Sequence, residues 1–386
     1  MKKTYIIIIS ILIIIAGFGL YLWRELQENH SIDNNVIKIG VILPLTGPVA
    51  EPGINALRGV ELSVAKFNAE HKHQIQLILE DSKSNSKDAI SAINKLITVD
   101  KVKIVIGDIM SSVVLAIAPI AERNRVLLIS PGASSPDVRN AGDYIFRIYS
   151  SDDYDGQVMA KYILEKLHKT KAAIIIINND YGIGVKNIFI KSFTALKGQV
   201  VLSEFYTQGQ TDFRNIIVKI KNSNPEVLYI VGNPTENGNL VKQLKELNVN
   251  IPLTGNISFE HEGFLKVAKN SFDSVIFSAP FFNIDSDKTL VKSFVSKYSE
   301  KYGSKPDIAA ALGFDTAQII STTIDETDFN VDDLKEKLYK VKNFDGITGN
   351  MSFDSNGDVQ KDIFIKRIKG DGKIDIIELF SIKSNY

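Results

Sequence analysis

The order of apolar runs in this 386-residue chain predicts an α/β fold made of two doubly wound lobes. Three observations predict it. Short, near-continuous apolar runs alternate with amphipathic segments. That alternation pauses near residue 150 and then starts again. The length also exceeds what one ordinary core serves, while two lobes of usual size accommodate it. Continuous apolar strands separated by helices mean parallel sheets covered on both faces.

The first series opens with the strand VIKIGVIL, Val36 to Leu43. A helix follows from about Gly53 to Glu70, with Leu57, Val60, Val64 and Phe67 on its apolar side. The strand QIQLILED, Gln74 to Asp81, precedes a second helical period from Ser86 to Asp100. KIVIG and VLLIS are the third and fourth strands. The second series runs AAIIIIN, a helix from about Gly182, QVVLSEFY, DFRNIIVKIKNS as a helix, EVLYIVG, and ENGNLVKQLKELN as a helix, then PLTG and SVIFSAP. Two or three helices fill the stretch from about Asp287 to Val341. After Asn350 come short strands joined by Asn356-Gly357 and Asp371-Gly372, dipeptides that suit the positive backbone angles of tight hairpins.

On this reading the chain leaves the first lobe near Ser150, returns near Phe281 and crosses again near Phe344. Three crossovers make a hinge. The first lobe then takes residues 36–149 and 281–344. The second takes 150–280, with 345–386 as the hinge return and its C-terminal strands. Residues 25–35 read as a polar linker, and 1–24 stand apart.

That N-terminal segment places Lys2 and Lys3 ahead of an unbroken apolar run, Tyr5 to Trp23. The run has about the ~20 residues that span a bilayer as a helix and exceeds the ~7–15 usual in a cleavable signal. Gly17-Phe18-Gly19 is a weak small-x-small cleavage candidate. An uncleaved anchor is favoured over a cleaved signal, and the leading positive charge favours export of the body. Lysine plus arginine equals aspartate plus glutamate, 45 against 45, so charge gives no reason to expect nucleic acid. The absence of cysteine excludes disulfides, cysteine-based zinc sites and a thiol nucleophile.

Several pieces then fall in order: IKIGVILPLTGPVA, the DS of EDSKSNSKDAISAINKL, VIGDIMSSVVLAIAPIAERNRVLLISPGASSP, DYIFRIYSSDDYDGQ, NDYGIGV, TDFRNIIVKIKNSNPEVLYIVG and FDGITGNMSFDSNGD. Through them the body, from about Ile37 to the C-terminus, resembles the leucine/isoleucine/valine-binding branch of the type I periplasmic solute-binding proteins. The resemblance implies two Rossmann-like lobes, a three-crossover hinge and a small solute held between the lobes without turnover.

The resemblance puts a ligand-holding serine on Ser111 in GDIMSS, backbone and hydroxyl groups on Ala133 and Ser134 in SPGASS, and a second-lobe tyrosine on Tyr181 in NDYGIG. The residues themselves agree in part. Ser111 and Ser112 lie between an apolar strand and a helix start, where free N–H groups attract a carboxylate. Ligands of open parallel sheets bind beyond the carboxyl ends of the strands. The competing roles are a helix cap for either serine, a plain turn at Pro131-Gly132, and packing for Tyr181.

The chain departs from the family's amino-acid binders at three places. An aromatic expected near Pro52 is missing. The aromatic after EVLYIVG is replaced by Asn233. The acidic residue beside PLTGNIS is replaced by Asn256, Ile257 and Ser258, with Glu260 and Glu262 a little later. Asn233, Asn256 and Glu260 are therefore further ligand-binding candidates, Glu260 as an ammonium partner or as a helix-start carboxylate. These departures widen the ligand to another amino acid, an amide or another small polar acid.

No other constellation carries chemistry. His71 with His73, and Glu260-His261-Glu262, lack further metal ligands at suitable spacing. Gly182-Ile183-Gly184 lacks the third glycine of a dinucleotide turn, since Asn187 holds its place. Asp354 to Asp358 reads as a hairpin turn rather than a calcium loop. The expected protein is no enzyme and needs no metal or cofactor. It is a substrate-binding component of an ABC-type transporter outside the cytoplasm, partnered by a membrane permease and by the membrane through residues 5–23. The alternative is a ligand-binding sensor subunit with a separate signalling partner.

Overall fold

A computed structural model of the chain describes residues 36–325 and 329–380. The apolar run Tyr5–Trp23 lies outside the described residues. Among the described residues, no helix is long and apolar enough to cross a membrane.

The first lobe rests on five parallel strands: β1 (Val36–Leu43), β2 (Gln74–Asp81), β3 (Ile104–Gly107), β4 (Leu127–Ser130) and β5 (Ile145–Arg147), in the order β2-β1-β3-β4-β5. Ile39 pairs with Leu77 on one side and Ile104 on the other, which seats β1 between its neighbours. β3 and β4 are buried at every position, so their sequences carry no polar alternation. Helices α1 (Ala50–Glu70), α2 (Ser86–Thr98) and α3 (Ser111–Arg123) connect the strands. Three helices return from later in the chain: α9 (Thr289–Tyr302), α10 (Ile308–Asp325) and α11 (Val331–Lys340). α10 crosses α1 through one glycine on each. A Cβ at Gly59 would stand 1.9 Å from the Ala310 carbonyl, and one at Gly313 would stand 2.0 Å from that of Ala56. Backbones this close admit no side chain.

The second lobe has a seven-stranded sheet ordered β15-β14-β10-β9-β8-β6-β7. Its parallel part is β6 (Lys171–Ile177), β7 (Gln199–Tyr206), β8 (Val227–Val231), β9 (Leu253–Gly255) and β10 (Ser274–Pro280). β14 (Ile363–Lys369) and β15 (Ile374–Phe380) add to one edge in antiparallel sense. Around it pack α4 (Asp152–Glu165), α5 (Asp180–Ala195), α6 (Arg214–Ser223), α7 (Pro234–Glu246) and α8 (Glu262–Ala268). The Asp371-Gly372 turn joins β14 to β15, with Gly372 at φ +82°.

A third, small antiparallel sheet comprises β11 (Phe344–Gly346), β12 (Gly349–Phe353) and β13 (Val359–Gln360). Its side chains Ile347, Met351, Phe353 and Val359 are buried in the first lobe's core. The chain therefore makes its last crossing between Gln360 and Ile363, later than the expected Phe344. Apolar residues of the hairpin hold it to the first lobe before β14 enters the second sheet.

Polar contacts fasten that hairpin. Arg147 at the end of β5 is fully buried and donates from Nε to Asp358 Oδ1 at 2.6 Å and from Nη2 to Oδ2 at 2.7 Å. Its Nη1 donates to the Ser135 carbonyl at 2.8 Å, inside the loop after β4. Arg139 adds a 3.0 Å bond to Asp358. Gly357, at φ +74°, brings the turn against β5; a Cβ there would lie 2.5 Å from the Ile145 carbonyl. Deeper, the buried Asp315 carboxylate accepts the Ile347 and Thr348 N–H groups at 2.8 Å each. Lys361 donates to Thr348 Oγ1 at 2.6 Å. Burial pushes the Asp315 carboxyl up, and burial pulls Lys361 down to about 8, against the opposing pull of Asp315.

Removing one partner of a buried ion pair leaves the other uncompensated, at about 3–5 kcal/mol. Asp358→Ala should therefore lower the urea midpoint by an amount equivalent to that loss. Asp371→Ala in the exposed second hairpin should move it far less. Equal midpoints for the two variants would show that the buried pair is not a principal fastening of the hinge.

Candidate ligand-binding cleft

The parallel strands of both lobes end at one cleft, with the loops after β1, β3, β4 and β5 facing those after β6, β8 and β9. Between them lies a cavity of about 140 Å³. That is close to the ~150 Å³ cavity known to hold a benzene-sized molecule, so the scale is that of one small solute. Val49, Ile109, Met110 and Pro131 supply apolar wall from the first lobe. Ile308 and Leu312 add to it from α10.

The polar part of the first-lobe wall is built on Ser111. It is the first residue of α3, and Met110 occupies the cap position without a side-chain bond, so Ser111 does not cap its helix. Its Oγ instead accepts the N–H groups of Ser134 at 3.1 Å and Ser135 at 3.0 Å. Two acceptor positions are thus used, and a serine hydroxyl then still has one proton to donate. Ser111 and Ser134 both line the cavity, at the positively polarised end of a 13-residue helix.

Ala133 and Ser112 do not line it. Ala133 is fully buried, and its N–H is bound to Ser130 Oγ at 2.8 Å. Ser130 Oγ in turn donates to the Asp108 carbonyl at 2.6 Å, which ties the β3 and β4 loops together. Ser112 is half-buried, and its carbonyl accepts from Ser86 Oγ at 3.2 Å. Next to Ser111, burial pushes the Asp108 carboxyl up to about 7. Its Oδ1 still accepts the Met110 N–H at 2.8 Å.

The second-lobe wall is a hydrogen-bonded relay running in one direction. The Asn233 N–H donates to the Tyr206 hydroxyl at 3.2 Å, and that hydroxyl donates to Asn237 at 3.1 Å. Asn237 Nδ2 donates to Ser258 Oγ at 2.8 Å, and Ser258 donates to Asn256 Oδ1 at 2.7 Å. Asn256 Nδ2 then donates to the Tyr181 hydroxyl. Asn233, Asn256, Ser258 and Tyr181 all line the cavity. Asn179 lines it as well and caps α5, accepting the Gly182 N–H at 2.9 Å. Glu260 does not line it; Lys366 Nζ donates to both its oxygens at 2.9 and 2.8 Å.

A polar seam crosses from lobe to lobe beside the cavity. Glu51 on α1 accepts the Glu262 N–H at 2.9 Å and the Gly263 N–H at 2.7 Å, at the start of α8 in the other lobe. His261 lines the cavity, and its Nδ1 stands 3.5 Å from Asp307 Oδ2 of the first lobe. Asp307 is fixed by Asn55 Nδ2 at 2.9 Å and the Ala310 N–H at 2.9 Å. Burial alone would lower the imidazole's pKa, but Asp307, with Glu51 and Glu260, outweighs it and holds the value above normal.

Sequence reasoning missed His261, Ser258 and Asn179, and the apolar Ile308 and Leu312. Asn179 was legible as an N-cap ahead of a helix. His261 had no local signal, because its partner Asp307 is distant in the chain.

If the lobes separate, the seam should make that separation depend on pH. With the lobes apart, Asp307 is out of reach and His261 returns toward about 6.5. Its raised value in the closed form means the pair stabilises closure fully below that ordinary value and is lost as pH rises through the raised one. Small-angle X-ray scattering from about pH 6 to about pH 9 should show the unliganded protein expanding as pH rises. His261→Gln should flatten the profile; a wild-type radius of gyration independent of pH would exclude the pair as a closure contact.

The chain's relatives match this geometry. The profile of the periplasmic binding protein family matches residues 36–373. The leucine-, isoleucine-, valine-, threonine- and alanine-binding protein of Pseudomonas aeruginosa is 25% identical over 352 residues, covering 90% of this chain and 91% of its own. The leucine-binding protein LivK of Thermotoga maritima superposes with a TM-score of 0.84 at 27% identity, covering 90% of this chain and 99% of its own. LivJ of Streptococcus pneumoniae, a branched-chain amino acid transporter substrate-binding protein solved with isoleucine, gives 0.83 at 28% identity, with coverage of 89% and 99%. Two lobes, a cleft at the strand ends and a match across nearly all of the described residues lead to one conclusion: the chain belongs to the periplasmic binding protein family, in its leucine/isoleucine/valine-binding branch.

Proposed function

We propose that this protein is the substrate-binding component of an ABC-type transporter and holds a small carboxylate-bearing solute, an amino acid or a related acid, in the cleft between its lobes. The carrying observation is the cavity into which polar groups of both lobes converge, with Ser111 and Ser134 on one side and Tyr181 and Asn256 on the other. The family consists of solute-binding proteins, not enzymes. Its members work outside the cytoplasm, which fits the positive-then-apolar N-terminus of this chain.

In this reading the carboxylate rests on the Ser111 hydroxyl and the N-terminus of α3. The second lobe then swings over the solute, and the seam contacts from Glu51 and His261 form only in the closed state. Hinge closure draws its free energy from such state-specific contacts. A membrane permease reads the closed form. Residues 5–23 tether the protein near that permease and raise its effective concentration there. Asn233, in place of an aromatic, acts through its backbone in the Tyr206 relay. Glu260 serves Lys366 and not the solute.

A thermal-shift screen of the full chain in mild detergent against common amino acids, amides and small organic acids tests the reading. A solute that binds only the native state at ~100 times its dissociation constant adds ~2.7 kcal/mol. A hit should shift the transition upward and lose most of the shift in Ser111→Ala. A hit untouched by Ser111→Ala would place the solute elsewhere. No hit across the panel with folded protein would remove the small-acid reading and favour a sensor partner or another solute class.

A further inference from the structure

The cavity's charge pattern has a direction. Its lining carries one ionisable cation-forming group, His261, and no aspartate or glutamate. The carboxylates nearest to it are committed to protein donors. Asp307 serves Asn55, Ala310 and His261. Glu51 serves two backbone N–H groups of α8, and Glu260 serves Lys366. Glu236 lies outside the lining; its Oε1 accepts from Asn233 Nδ2 at 3.1 Å and from the Gly209 N–H at 2.8 Å. Its Oε2 is buried without a hydrogen-bond partner, as is Asp108 Oδ2 behind the first-lobe wall, and neither residue lines the cavity.

Two of the three wall asparagines have their side-chain oxygens engaged, the exception being Asn233, whose Nδ2 is held by Glu236. Asn179 Oδ1 takes the Gly182 N–H, and Asn256 Oδ1 takes the Ser258 hydroxyl. The relay from Tyr206 ends with Asn256 Nδ2 donating to the Tyr181 hydroxyl at the cavity wall. On the opposite side stand the Ser111 hydroxyl and the positive end of α3. A carboxylate is met by donors and a helix terminus there. An ammonium is met by no counter-charge, and burying a cation unpaired is costly. Apart from Tyr149, the remaining side chains of the lining, chiefly Val49, Ile109, Met110, Ile257, Ile308 and Leu312, are apolar.

Resting on the proposed function of this cleft, we infer that the solute is a monocarboxylate with a compact apolar body and no α-ammonium group, and that the cleft selects against the corresponding amino acid.

Matched pairs test it by isothermal titration calorimetry on the full chain in mild detergent: 4-methylpentanoate against leucine, and 3-phenylpropanoate against phenylalanine. At least one acid should bind ten times or more tightly than its amino acid, and its primary amide should not bind. Asn256→Asp, which sets a carboxylate on the wall in nearly the same shape, should reduce that ratio at least tenfold. Equal or tighter binding of the amino acid would overturn the inference while leaving the proposed function intact. If that binding were also lost in Glu236→Gln, the ammonium would pass to Glu236. Failure of all four solutes to bind folded wild-type protein would overturn the inference and the small-acid reading together.

Discussion

The Arg147–Asp358 pair is the constraint on which the cleft's geometry rests. A fully buried guanidinium is costly to desolvate, and a bidentate carboxylate with added carbonyl acceptors is what offsets that cost. The same side chain touches three parts of the molecule: the end of β5, the hairpin carrying Asp358, and the loop after β4 through the Ser135 carbonyl. That loop carries Ser134 on the cavity wall. The position of the hinge hairpin is thereby coupled to the shape of the first-lobe binding wall.

From this anchor the first-lobe wall is assembled by serines that bind backbone. Ser130 joins the β3 loop to the β4 loop, and Ser111 then gathers Ser134 and Ser135. Each hydroxyl uses its acceptor capacity on the protein, which fixes the loops before any solute arrives. The second-lobe wall reaches the same end with amides and phenols, from Asn233 through to Tyr181. Prior ordering of both walls reduces the entropy lost on binding. The Glu51 and His261 contacts join the two lobes directly.

Much of the fold was legible in the sequence because buried parallel strands have a clear signature. KIVIG, VLLIS and AAIIIIN are buried on both faces and contain almost nothing polar. The hairpins at Asn356-Gly357 and Asp371-Gly372 were equally plain, since their backbone angles demand glycine. Less visible were α4 and α8. DDYDGQVMAKYILE mixes acidic and small residues without a clean apolar stripe, and EGFLKVA is too short to show a period. The last crossing was read too early because Met351 and Phe353 give no sign of which core they enter. Of the site candidates, Ser111, Ser134, Tyr181, Asn233 and Asn256 meet at the cavity, whereas Ser112, Ala133 and Glu260 do not.

By itself, then, the sequence determined the strand and helix order, the doubling of the lobes and the loops that line the cavity. Those are local properties, set by periodicity, turn chemistry and the position of a loop after a strand. Tertiary structure decided which side chains in those loops face the cavity and which are spent on backbone. It also decided the pairing of His261 with Asp307, of Glu51 with the start of α8, and of Arg147 with Asp358. Each partner is remote in the chain, and a contact between remote residues leaves no trace in local periodicity. The charge that the cleft presents depends on those remote pairings.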